Sequence, residues 1–246
     1  MFEFIENYDI FIFDFDGCIL NNEYVHYKSY KTTLEHFNIN IPFEYDDYVQ
    51  LFHSCNLNFT EFIKSKMNYD DFYNYKSKIF ENLIHEIDFI DGAKELLELL
   101  ISKNKKISVA TNASLKRVNL LKKSFPLLNK IQYWITKDHC KFPKPNPECF
   151  LKAIDVFYNN KESSYAESQI SGNIEKNYNK IIVFEDSYKG FKSIENLPVD
   201  KILIQKKDYY FYNSINCLNK YENFFQIKDI VQFRNDSTRD LPIISP

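Results

Sequence analysis

Glycine is scarce in this chain, four in 246 residues, and tryptophan occurs once. That excludes collagen-like and glycine-rich low-complexity chains. Five cysteines (Cys18, Cys55, Cys140, Cys149 and Cys217) are scattered, odd in number and never spaced Cys-x-x-Cys, so reduced thiols are expected in place of a disulfide framework. The nearest thing to a metal-type cluster, His139-Cys140 with Cys149, is interrupted by Lys144 and three prolines, and reads as packing or loop residues. There is no basic excess either: 31 Lys and Arg against 34 Asp and Glu give a formal charge of −3. No electrostatic case exists for a nucleic-acid or anionic-membrane partner. No apolar run approaches the roughly 18 residues of a membrane span, and no basic, apolar and small-residue leader opens the chain. The expectation is a soluble, cytoplasmic protein. Aromatics are plentiful, 18 Tyr and 23 Phe, but they are spread along the chain and form no stacking platform.

What is present is a set of apolar runs that end in polar groups. Tyr8 to Phe13 runs into Asp14-Phe15-Asp16-Gly17, which reads as a buried strand leaving the core at two carboxylates one residue apart. Residues i and i+2 of an extended chain project to one side, so the two acids crowd together at the strand's mouth. There they can bind a cation and divide nucleophile and acid/base duties; the bland alternative is a solvated turn. Lys106 to Ala110 ends at Thr111-Asn112, which offer a hydroxyl and amide donors, or simply cap the next helix. Lys180 to Phe184 ends at Glu185-Asp186, a second acidic pair able to complete a metal site, or an acidic first helical turn. Lys144 stands on a loop stiffened by Pro145 and Pro147, where it holds a fixed ammonium or is an exposed lysine.

In open α/β sheets, ligands bind beyond the carboxyl ends of the strands. The order acid pair, Thr-Asn, Lys-Pro-x-Pro, Glu-Asp resembles the haloacid dehalogenase-like hydrolase superfamily, specifically members like β-phosphoglucomutase and phosphoglycolate phosphatase. The resemblance covers about residues 8 to 205, with Cys18 departing from the family's Thr/Val in the first motif. It implies a Rossmann-like parallel sheet core flanked by helices (1–17 and 90–246), with a small all-α cap domain (18–89) inserted after the first strand. The residues themselves agree on the insertion. Val25, Tyr30, Leu34 and Phe37, then Tyr48, Leu51 and Phe52, then Phe59, Phe62, Ile63 and Met67, then Phe72, Ile79, Phe80, Leu83 and Ile84 are spaced for four amphipathic helices. Helices are also expected over 93–100, 114–123, 147–158 and 190–196. Short strands are expected at 131–135 and, last in the chain, at 201–205. The polar stretch 159–179 reads as an insertion, and the tail from Lys206 is the least readable part.

The resemblance implies a Mg²⁺-dependent phosphatase that hydrolyses a small phosphorylated metabolite through an aspartyl-phosphate. Asp14 would be the nucleophile and Asp16 the acid/base. Thr111, Asn112 and Lys144 would hold the phosphoryl oxygens. Asp14, Asp16 (through its carbonyl) and Asp186 would bind Mg²⁺, with Glu185 either a ligand or an orienter. His26, nine residues past Gly17, stands where β-phosphoglucomutase-like members carry a histidine, at the cap hinge. Asn21-Asn22 replaces the family's frequent Asp-Ser. The rival readings are a sugar phosphomutase with the same core, a dehalogenase, which resembles this core but lacks Asp16, and a catalytically silent phosphate-binding protein. A phospho-accepting receiver module is disfavoured because its lysine comes last and no cap interrupts its sheet. A monomer is expected.

Overall fold

The computed structural model describes residues 2–40, 44–53, 59–158, 177–205, 212–228 and 230. The expected insertion up to residue 176, Cys55 and most of the tail lie outside them. The strands are β1 (Ile10–Phe13), β2 (Leu20–Asn21), β3 (Asp88–Phe89), β4 (Lys106–Ala110), β5 (Tyr133–Ile135), β6 (Ile181–Glu185), β7 (Asp200–Ile204) and β8 (Asn219–Tyr221). The α-helices are α1 (Glu23–His36), α2 (Tyr45–His53), α3 (Phe59–Lys64), α4 (Tyr69–Asn82), α5 (Ala93–Ser102), α6 (Leu115–Ser124), α7 (Glu148–Asp155) and α8 (Tyr188–Ile194).

Six strands form one parallel sheet in the order β5-β4-β1-β6-β7-β8. Period-two alternation explains how it is sandwiched. Phe11, Phe13, Ile107, Val109, Ile182 and Phe184 point to one face, against Leu96, Leu97 and Leu100 of α5 and Val118 and Leu121 of α6. Ile10, Ile12, Ala110, Ile181 and Val183 point to the other, against Phe150 and Ile154 of α7 and Phe191 and Ile194 of α8. A strand covered on both faces is apolar at every position, which is why β1 and β6 read as unbroken apolar runs. The register pairs Phe13 with Val109 on one side and Phe184 on the other, where the two phenyl rings stack 4.6 Å apart. With β1 in the middle, strand order reverses around it, so the ends of β4, β1 and β6 open on one crevice.

The chain leaves β1 through a tight loop. Gly17 has φ +81°, a left-handed conformation that side chains resist, and its N–H donates to Leu20 O at 2.8 Å. Leu20 and Asn21 of β2 then pair antiparallel with Phe89 and Asp88 of β3. The segment containing α1 to α4 therefore departs and returns through one two-stranded ribbon. These helices share a small core of Leu34, Ile63 and Phe72, while Val25 and Phe80 pack with the main core. A second buried cluster of Tyr27, Tyr48 and Val49 packs between α1 and α2.

Several details differ from the sequence expectations: α7 is Glu148–Asp155 and not 147–158, β5 is Tyr133–Ile135 and not 131–135, and Leu83 and Ile84 lie beyond the end of α4. The strand at 200–204 is not the last: β8 follows and pairs in parallel with it, Ile202 against Asn219. Three residues reading Asn-Lys-Tyr offer no hydrophobic alternation to recognise. The ribbon β2–β3 was likewise too short to read. Helix α8 begins at Tyr188, two residues before the expected start, because Ser187 caps it: its Oγ accepts from Gly190 N–H at 3.0 Å.

Candidate active site

Asp14 follows β1 directly, and its N–H donates to Phe184 O at 2.9 Å, extending the ladder by one residue. Its carboxylate is buried at the crevice. Glu185 ends β6 beside it. Between them lies the ammonium of Lys144, whose Nζ donates to Asp14 Oδ1 and to Glu185 Oε1, each at 2.5 Å. The Nζ also sits 4.3 Å from the centre of the Phe150 ring. Three residues separated by 130 and 41 positions in sequence thus meet as a buried carboxylate–ammonium–carboxylate array.

The loop that carries Lys144 is clamped by Asn112. Lys144 N–H donates to Asn112 Oδ1 at 3.0 Å, and Asn112 Nδ2 donates to Lys144 O at 3.4 Å. The amide expected to face a ligand is thereby engaged with the lysine's backbone. Thr111 is buried one residue beyond β4, and its Oγ1 accepts from Ala113 N–H at 3.0 Å. A hydroxyl that accepts there still has its own proton to donate.

Glu185 is fixed at both oxygens. Oε2 accepts from Asp186 N–H, Ser187 N–H and Ser187 Oγ at 3.0–3.2 Å, while Oε1 takes Lys144. Both of its carboxylate oxygens are thereby engaged within the chain. Its carboxyl also lies where a Cβ on Gly190 would stand, so that position admits no side chain. Asp186 is buried next to it, its carboxylate against Gly17 and its carbonyl accepting from Gln205 Nε2 at 2.7 Å.

Charge is unbalanced in this pocket. Burial, then the neighbouring Glu185 and Asp14, push the Asp186 carboxyl well above the usual range. Asp14 is raised to about 7: burial outweighs the pull of Lys144, and Glu185 adds to the rise. Burial opposes the charge on Lys144, but the two carboxylates hold its pKa above the ordinary value. Three buried carboxyl groups share one ammonium, and a divalent cation would favour their ionised forms. Among the described residues no three His, Cys, Asp or Glu side chains are arranged around one point for a metal. A Mg²⁺ ion needs no such cluster, since it is commonly held by one or two carboxylates with waters and substrate phosphate. Asp14, Asp186 and the carbonyl of Asp16 fit that donor set.

Asp16 has a different surrounding. Arg117 Nη2 donates to its Oδ2, Asn22 Nδ2 donates to its Oδ1 at 2.6 Å, and His26 Nε2 lies 3.7 Å from Oδ1. Burial would raise its pKa, but Arg117, then His26 and Asn22, hold the carboxyl well below the usual range. His26 stacks on Phe80, and its Nδ1 accepts from Lys76 Nζ at 3.0 Å, the tautomer inferred from that partner. Burial, then Lys76 and Arg117, lower His26 to about 4. Lys76, buried on α4, is lowered to about 7 by burial and then by Arg117.

Sequence reasoning missed Arg117 and Lys76. The one available signal for Arg117 was Ser114 three residues earlier: its Oγ accepts from Arg117 N–H at 3.3 Å, which fixes the residue in the first turn of α6 beside the Thr111 loop. Asn22, read only as a departure from the family's Asp-Ser, is a direct partner of Asp16.

The sequence profile of the haloacid dehalogenase-like hydrolase family matches residues 11–204. Among solved structures, CbbY from Rhodobacter sphaeroides in complex with phosphate is similar at 16% identity, TM-score 0.71, over 89% of this chain and 96% of its own. β-Phosphoglucomutase from Clostridium difficile is similar at 21% identity, TM-score 0.67, over 90% and 93%. A hydrolase from Pseudomonas syringae is similar at 20% identity, TM-score 0.61, over 87% and 93%. These are likenesses of fold. The profile runs from β1 to the end of β7 and so takes in all four polar loop and strand ends that meet at the crevice; the chain belongs to the haloacid dehalogenase-like hydrolase family.

Proposed function

We propose that this chain is a Mg²⁺-dependent phosphatase that hydrolyses a small phosphate monoester through an aspartyl-phosphate on Asp14. The observation that carries the reading is the Asp14–Lys144–Glu185 array at the switch point of the sheet. Asp14 Oδ2 has no hydrogen-bond partner among the described residues, which leaves it to attack phosphorus while Lys144 holds the other oxygen. The same ammonium, with the Thr111 hydroxyl, positions and neutralises the equatorial oxygens of a loose transition state. Mg²⁺, when bound by Asp14, Asp186 and the Asp16 carbonyl, supplies further neutralising charge. Asp16 protonates the leaving oxygen and then takes the proton of the attacking water. Residues 18–89 act as a cap whose seating excludes water from the crevice. The fold is shared with a structure that holds phosphate, consistent with such a ligand here.

One observation favours the phosphomutase alternative. Asp16 is tied through His26 to Lys76 on the helical segment, so its proton chemistry is coupled to the cap's position. An acid engaged only under a closed cap returns phosphoryl groups to a bound sugar more readily than to water. Product analysis with a sugar phosphate separates the two.

The test of the main reading is hydrolysis of an aryl phosphate with Mg²⁺ and with chelator. Activity should require the metal and vanish in Asp14→Asn; full activity in that variant would refute the nucleophile.

A further inference from the structure

Cys140 and Cys149 bracket the segment that carries Lys144, and none of the steps above uses either thiol. Cys140 follows the turn Lys137–His139 and is half-buried; Cys149 lies in the first turn of α7 and is buried. Side chains of α7 fold the two ends of the segment together. Glu148 Oε1 accepts from Lys141 N–H at 3.0 Å and Oε2 from Phe142 N–H at 2.8 Å, while Lys152 Nζ donates to His139 O at 2.6 Å. The residues on either side of Cys140 are thereby tied to α7, and the two thiols stand within hydrogen-bond reach of each other. Both pack in the apolar cluster on the α7 face of the sheet.

The pair touches the site from behind. Cys149 Sγ lies 3.3 Å from the carbonyl of Ile135, the last residue of β5, and 3.8 Å from that of Thr111, the first after β4. Between the cysteines, Pro143, Pro145 and Pro147 stiffen the backbone, and Asn112 grips it at Lys144. A disulfide needs its sulfurs about 2.05 Å apart, much closer than two thiols in hydrogen-bond contact. Closing that gap takes Cys149 Sγ off the two carbonyls and draws the end of the Lys144 loop toward α7. A stiff loop passes such a shift on to Lys144, whose Nζ holds Asp14 and Glu185 at 2.5 Å.

We propose that Cys140 and Cys149 are a thiol pair that a hydroperoxide oxidises to a disulfide, and that this bond lowers turnover reversibly by displacing Lys144 from Asp14 and Glu185. Cys140 is the reacting thiol: it is the more exposed of the two, and the hydrogen bond from Cys149, the largest influence on it, lowers its pKa. Its thiolate attacks one oxygen of H₂O₂, breaks the O–O bond and becomes a sulfenic acid as hydroxide leaves. Cys149 Sγ then attacks that sulfur, the S–O bond breaks, and the oxygen departs as water with the Cys149 proton. Two thiols and one H₂O₂ thus give one disulfide and two waters, and a dithiol reverses the change by exchange. The disulfide goes beyond the phosphatase reading; its effect on turnover rests on that reading.

The test treats the full chain with increasing H₂O₂, alkylates the remaining thiols and digests with trypsin, which cuts after Lys141 and so separates the two cysteines. Peptide 138–141 linked to peptide 142–152 is expected. In step with that product, kcat/KM for an aryl phosphate with Mg²⁺ should fall roughly 10- to 100-fold, as for a catalytic group moved by about 1 Å, and should return with dithiothreitol. Cys140→Ser should match the reduced wild type and keep its activity after peroxide. Absence of the linked peptide at every dose overturns the proposal, as does full activity of the cross-linked chain or equal peroxide inactivation of Cys140→Ser. If that variant fails to fold by circular dichroism, Cys149→Ala decides on the same criterion. Failure of the phosphatase reading looks different: the reduced chain would hydrolyse no ester from the outset, and the linked peptide would still decide whether the pair oxidises.

Discussion

Replacing Lys144 by methionine separates the two things its ammonium is asked to do. The aliphatic stem is roughly conserved and still packs against Phe150, so the lost contacts are the two 2.5 Å ion pairs to Asp14 and Glu185. Both carboxylates are buried, and Asp186 is a third buried carboxyl beside them. Removing one partner of a buried ion pair costs about 3–5 kcal/mol because the other charge is left uncompensated. At about 2–4 °C per kcal/mol for a chain of this size, Tm should drop by roughly 6–20 °C in chelator at neutral pH. Added Mg²⁺ should recover part of that loss, about 2.7 kcal/mol at a hundredfold excess over Kd, and should stabilise the variant more than the wild type. Activity should fall about 10²- to 10³-fold even at saturating Mg²⁺, as when a preorganised donor is removed from a transition state. Differential scanning fluorimetry with and without Mg²⁺, alongside aryl phosphate hydrolysis, reads both. A variant that loses activity but melts with the wild type in chelator would show that the lysine is not shared by the buried acids, and the charge argument for the site would fail.

Lys76→Met tests the buried lysine on α4. A lysine whose pKa is about 7 when folded and near 10.5 when unfolded binds fewer protons in the folded state, so it destabilises the wild type at neutral pH, and stability rises with pH across that window. The variant should be more stable at about pH 7 by about 1–4 kcal/mol, less at about pH 9.5; urea unfolding that shows a loss at neutral pH would mean the ammonium is well paired. Gly190→Ala should destabilise by about 1–3 kcal/mol and reduce activity, because the new methyl meets a Glu185 carboxyl pinned at both oxygens. Helix propensity alone predicts a gain of about 1 kcal/mol from the same change, so a stabilised variant would refute the close approach.

The sheet was legible because burial on both faces writes itself into the chain as unbroken apolar runs, and their polar ends mark where each strand emerges at the crevice. Lys144 could be placed near the acids only through the order of motifs, since nothing in a proline-flanked loop says which way its lysine turns. Arg117 and Lys76 were invisible for a different reason. Each sits on a helix where lysine and arginine are ordinary surface residues, and only the angle at which α6 and α4 meet the crevice turns them inward. The polar side of a helix is read from period, but which polar residue faces a neighbour depends on packing between distant segments.

Those two cations converge on Asp16, and this gives the acid a position unlike that of Asp14. Asp14 is bound wholly to core elements, β1, β6 and the Lys144 loop. Asp16 is held by α6 through Arg117 and by the start of the helical segment through Asn22 and His26. Any shift of α1 relative to the sheet changes the surroundings of Asp16 while leaving the nucleophile's intact. On the proposed mechanism, the site divides into a half held by the core, which takes phosphorus, and a half shared with the helical segment, which handles the proton.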